Sequence, residues 1–126
     1  ERYIVNLEFD GYFKDDELSI NFDGQEQASF YKVGTRDAPC TLEIYAKENL
    51  SNYTIKGIGD VITIESLKKG ETIIIDSKTG IVTLNGENAF DKVDMWEFPV
   101  IRAGGTNLSF SSANASVTVK YTPMWI

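Results

Sequence analysis

The chain contains no histidine. That removes Ser-His-Asp and Cys-His nucleophile systems and the commonest metal ligand. Its single cysteine, Cys40, follows Pro39 at the start of an alternating run, where the expected role is that of a small hydrophobe. Carboxylates are abundant: Asp15, Asp16 and Glu17 form a run, and Asp91 and Asp94 flank Val93. A glycosidase needs two carboxylates facing each other across a sugar bond, and a calcium loop needs oxygen ligands at fixed spacing. Sequence does not show a facing pair and there is no calcium-loop signature, so these residues read as solvated turn charge. No glycine-rich phosphate loop precedes a helix, and no zinc spacing occurs. No catalytic residue, metal site or cofactor is expected, and no hydrolysis of cell-wall polysaccharide.

The aromatic residues offer a different chemistry. Trp96, Phe98 and Trp125 lie near Pro99 and Pro123. Exposed aromatic rings can stack on pyranose faces; buried ones fill a core or a domain interface. Packing is the reading their spacing favours. The closing residues Met124, Trp125 and Ile126 form a short apolar patch. With Trp96 they make the candidate interaction surface of the chain, for a modest dimer or a docked domain.

Composition bounds the partners. The 126 residues carry 19 acidic and 12 basic side chains, a net charge of −7, and a pI near 4.5. An acidic chain repels phosphate, so neither nucleic acid nor an anionic membrane is an expected partner. One cysteine makes no internal disulfide. No run approaches the ~18 apolar residues of a membrane helix. No signal peptide is visible, and a chain beginning at Glu1 is expected to be a fragment or a processed product. The Asn-X-Ser/Thr triplets at Asn49, Asn52, Asn107 and Asn114 read as ordinary strand and turn composition.

The elements that must position these residues are strands. Tyr3, Val5, Leu7 and Phe9 alternate with polar residues, as do Leu18, Ile20 and Phe22. Leu42, Ile44 and Ala46 alternate with Thr41, Glu43 and Tyr45; Ile62 and Ile64 with Val61 and Thr63; Val117, Val119 and Tyr121 with Thr118 and Lys120. A period of two is the signature of half-buried antiparallel strand. Asp10-Gly11, Asp23-Gly24, Asn85-Gly86 and Gly104-Gly105 supply turns between the runs. In "IIIDSKTGIVTLNG" (73–86), Ser77 to Gly80 forms a hairpin loop and Asn85-Gly86 a second turn. Three consecutive isoleucines, Ile73 to Ile75, predict a central strand covered on both faces. A turn or a single helical turn is expected at each of "KDDEL" (14–18) and "FDKVDMW" (90–96). The whole chain, 1–126, is expected to be a single all-β domain, an antiparallel β-sandwich, with Leu42, Ile44, Ile62, Ile64, Leu108, Phe110, Val117 and Val119 in one core.

Four segments in order, "GTRDAPCTLEI" (34–44), "IIIDSKTGIVTLNG" (73–86), "AFDKVDMWEFPVI" (89–101) and the closing "VTVKYTPMWI" (117–126), carry a family resemblance. From about residue 27 to the end the chain resembles the C-terminal domain of the distal tail proteins of long, flexible-tailed bacteriophages and prophages. It departs where the family often has Pro-Gly before its penultimate strand, with Ala103-Gly104-Gly105-Thr106 instead. The resemblance implies a jelly-roll or galectin-like sandwich, placed in the virion tail after assembly in the bacterial cytoplasm. It implies contact with other tail or baseplate proteins, with a carbohydrate-binding module for host cell-surface glycan as the alternative. In that family an N-terminal domain closes a hexameric ring. The ring is therefore expected of a full-length parent, and a monomer of residues 1–126 alone.

Overall fold

The computed structural model describes residues 18–32, 38–95, 97–101 and 104–122. The alternation at residues 3–9, the Asp10-Gly11 turn and most of "KDDEL" lie outside these. In chain order the strands are β1 (Leu18–Asp23), β2 (Gln27–Lys32), β3 (Ala38–Ala46), β4 (Leu50–Gly57), β5 (Gly59–Leu67) and β6 (Thr72–Asp76). They continue with β7 (Ile81–Leu84), β8 (Glu87–Asn88), β9 (Val93–Asp94), β10 (Val100–Ile101), β11 (Gly104–Phe110) and β12 (Ala115–Tyr121). A 3-10 turn, Phe90–Lys92, stands between β8 and β9.

Two antiparallel sheets result. One runs β1-β12-β3-β6-β7-β8, with β10 added to β3; the other runs β2-β11-β4-β5-β9. Alternation assigns the inner faces. Leu42, Ile44, Val117, Val119, Ile73 and Ile75 from the first sheet are fully shielded, as are Ile55, Ile62 and Ile64 from the second. All eight residues assigned to a common core lie in one buried cluster. Phe22 on β1 meets Phe110 on β11 across the two sheets, with ring centroids 6.0 Å apart. The outer face of the first sheet is tied by polar ladders. Asn21 Nδ2 donates to Thr118 Oγ1 at 2.9 Å and to Ser116 Oγ at 3.0 Å, and Lys120 Nζ pairs with Glu43 at 2.6 Å.

The turns follow their residues. Gly80, at φ 72°, closes the β6–β7 loop with its N–H on Asp76 O at 2.9 Å. Asn85 and Gly86, at φ 50° and 90°, make the two-residue turn between β7 and β8, where both central residues need positive φ.

Two expectations are corrected. Ile73 and Ile75 are buried, but Ile74 is only half-buried on the outer face, beside Glu43 and Thr83. Strand β6 is central in its sheet but has one dry face, because among the described residues no layer covers Ile74. Gly104 and Gly105 form no turn; they begin β11, paired with Lys32 and Tyr31 of β2, where ladder hydrogen bonds satisfy the backbone. The single turn expected within 90–96 is present as the 3-10 turn, and Val93 and Asp94 then pair with Ile64 and Thr63.

One core residue carries a cost. Tyr53 on β4 is buried, and its hydroxyl has no protein hydrogen-bond partner among the described residues. Burial also raises its pKa. An unpaired buried hydroxyl costs about 1–3 kcal/mol, whereas a shape-preserving apolar replacement costs little. Tyr53→Phe is therefore expected to match the parent or to gain up to about 1 kcal/mol in urea unfolding. A clear loss of stability would reveal a partner for the hydroxyl.

Candidate interaction surface

Trp96, Met124, Trp125 and Ile126 lie outside the described residues. What the structure does place is the strap that carries position 96. From β8, paired with β7 in the first sheet, the chain passes through the 3-10 turn to β9, which pairs with β5 in the second sheet. It then returns to the first sheet as β10, against Ala38 and Pro39 of β3. The strap is pinned along its length. Ala89 is buried and donates its N–H to Val82 O at 2.8 Å. Ser77 Oγ donates to Pro99 O at 2.6 Å. Val93, Met95 and Phe98 pack partly buried against the core.

On this strap Phe98 stacks with Phe90, with centroids 6.1 Å apart and planes 26° from parallel. Phe90 is 51% exposed. Phe98 anchors the pair and Phe90 presents it to solvent. Along the strap Glu87, Asp91, Lys92, Asp94 and Glu97 are all exposed. Sequence reasoning singled out Phe98 but not Phe90. The two rings are eight residues apart in irregular chain, where no periodic signal links them.

A second feature lies at the opposite edge of the same sheet. The outward residues of β2 and β11, Gln27, Ser29, Asn107 and Ser109, line an open trough of about 310 Å³. Small side chains set in register, Ser29 opposite Asn107 and Gln27 opposite Ser109, leave the depression. Ala28 and Leu108 complete its lining, which carries no charge.

The remaining reactive groups are disarmed. Cys40 is fully buried, its Sγ 3.8 Å from Pro99 O. Burial, with the Asp76 carboxylate adding to it, pushes its thiol up to about 12 from 9.0. The folded state keeps this proton longer than the unfolded chain does. The stabilisation is thus whole below pH 9 and is lost as pH rises from about 9 towards 12, by at most about 1.4 kcal/mol per pH unit. Parent and Cys40→Ala are expected to diverge in this sense in urea melts across that window, the parent losing stability more steeply. At neutral pH a thiol reagent should label Cys40 only at the rate of unfolding. Asp91 and Asp94, raised as carboxylate candidates, are solvent-exposed, and no cluster of metal-ligating side chains occurs among the described residues.

Comparison with known proteins adds the wider context. A family model described as "Siphovirus-type tail component, C-terminal domain" matches residues 33–125. Among solved structures, the chain is similar to the SPP1 Dit (gp 19.1) protein, described as a paradigm of the hub adsorption apparatus in Gram-positive infecting phages. The TM-score is 0.67 at 8% identity, over 82% of this chain and 46% of that one. The chain thus spans about half the length of that protein, and at this identity the likeness speaks for the fold. No curated protein sequence matches.

Proposed function

The chain belongs to the siphovirus-type tail component family, through the C-terminal domain matched by residues 33–125, and from that premise we propose that it is an outward-facing baseplate domain working by protein–protein contact. Its family places it in the phage tail with a structural role. The Phe90–Phe98 pair supports the finer reading: a half-exposed aromatic plate held on a strap that is hydrogen-bonded to both sheets. A rigid plate of this kind suits a contact surface, because little side-chain entropy remains to be lost on binding. The hub role named for SPP1 Dit fits a domain of this shape that supports neighbouring proteins. No enzymatic step is assigned: histidine is absent and the only thiol is buried and protonated.

A photo-reactive amino acid placed at position 90 of the parent protein tests this in assembled tails. The expected product is a covalent link to another tail protein. Assembled tails that give no protein adduct at this position would overturn the reading. The second reading, contact with host cell-surface glycan, is favoured by the uncharged amide and hydroxyl lining of the β2–β11 trough. Binding of cell-wall polysaccharide that is lost in Asn107→Ala would support it, and absence of binding would remove it.

A further inference from the structure

The strap concentrates acidic charge in a short stretch. Between residues 87 and 98 stand four carboxylates, Glu87, Asp91, Asp94 and Glu97, against the single ammonium of Lys92, a local net charge of −3. All are exposed. Elsewhere three carboxylates have cationic partners: Asp23 pairs with Lys47 at 3.0 Å, Glu43 with Lys120 at 2.6 Å and Glu48 with Lys69 at 3.8 Å. Among the described residues the four strap carboxylates form no ion pair and accept no side-chain hydrogen bond. They flank the Phe90–Phe98 plate: Asp91 follows one ring in sequence and Glu97 precedes the other.

We infer that this plate and its carboxylate rim are a docking site for an arginine-bearing segment of a partner protein. Guanidinium suits both halves of the surface. It is planar and weakly hydrated, so it stacks on an aromatic face, and its fork of donors engages a carboxylate at the same time. Lysine satisfies only the charge. A second copy of this chain fits poorly, since each copy carries −7. A neutral glycan can offer hydroxyls to the rim but leaves its net charge uncompensated, and an anionic one is repelled. That the partner is a tail protein rests on the family reading; the chemistry of the site does not.

The test uses the 126-residue chain and a fluorescent octapeptide of alternating arginine and glycine, followed by anisotropy at low salt. The control peptide carries citrulline, which keeps the planar shape and loses the charge. The arginine peptide should bind and the citrulline peptide should not. Phe90→Ser leaves net charge unchanged, so it reads the aromatic contact alone; it should weaken binding about 3- to 30-fold. The double variant Asp91→Asn, Glu97→Gln should weaken it several-fold. Glu26→Gln, at the far edge beyond β2, should leave it within a factor of two. The variants change exposed side chains, and coincident thermal melts verify that they fold. Equal binding by Phe90→Ser and the parent, equal binding of the two peptides, or no binding of the arginine peptide overturns the inference. If arginine binding is lost on Phe90→Ser while no tail protein cross-links at position 90, the site stands and the tail-contact reading falls.

Discussion

Gly57→Ala should unfold this domain or leave it barely stable. Gly57 ends β4 at φ 113°, in a register shift where it pairs with Gly59. A Cβ placed there would lie 2.0 Å from Asn107 O, 3.0 Å from Asn107 C and 3.2 Å from Leu108 Cα. All three atoms are backbone of β11. That strand cannot retreat, because β2 holds its other edge from Gly104 to Ser109. Nor can β4 move away, because Ile55 and the following Ile58 are sunk in the core. Backbone strain at such φ costs about 1–3 kcal/mol, and forced overpacking about another 1–3 kcal/mol. Set against a total of about 5–15 kcal/mol, the sum is a large part of what holds a domain together. Gly80→Ala is the matched control. Its φ of 72° is also positive, yet nothing lies within 4 Å of its Cβ. It should lose only the left-handed penalty of about 1–2 kcal/mol. If Gly57→Ala and Gly80→Ala melt together, the close approach of β4 to β11 is wrong.

Nothing in the sequence marks Gly57 as different from Gly80. Both are glycines near the end of an alternating run. What separates them is a neighbour about fifty positions further along the chain, and that neighbour is fixed by strand order. Alternation was legible because the side-chain period equals the backbone period: β1, β3 and β12 each bury every second residue. The Gly80 and Asn85-Gly86 turns were legible because positive φ selects those residues. Strand order was not, since β1 pairs with β12 across almost the whole described chain. Gly104-Gly105 misled for the same reason: a glycine pair reads as a turn until a distant strand offers it a ladder. The isoleucine triplet gives hydrophobicity without saying whether a layer lies over its outer face. The aromatic strap was half legible. Phe98 stood out beside Pro99, but Phe90 becomes its partner only once β8 and β9 have drawn residues 89–92 across the gap between the sheets.

Where alternation is clear, the energetic consequence can be drawn at single residues. Ile44→Ala is expected to cost about 2–5 kcal/mol and Val119→Ala about 1–4 kcal/mol, as for other large-to-small core changes. Both side chains are fully shielded. Ile44 sits on β3 between Val117 of β12 and Ile73 of β6; Val119 sits on β12 between Leu42 of β3 and Ile20 of β1. Each strand is hydrogen-bonded on both edges, so the backbone cannot collapse into the space left behind, and costs should fall in the upper part of each range. The two positions are near neighbours on one inner face, set on adjacent strands. Their cavities should merge, so the double variant should depart from additivity by about 0.5–3 kcal/mol. Thr118→Ala, one residue from Val119 but on the outer face, removes a methyl and the hydroxyl that accepts from Asn21. At a half-buried position on the outer face that should cost no more than about 1 kcal/mol. Urea midpoints decide the matter. If Val119→Ala and Ile44→Ala unfold with the parent while Thr118→Ala does not, the inner and outer faces of β3 and β12 are interchanged.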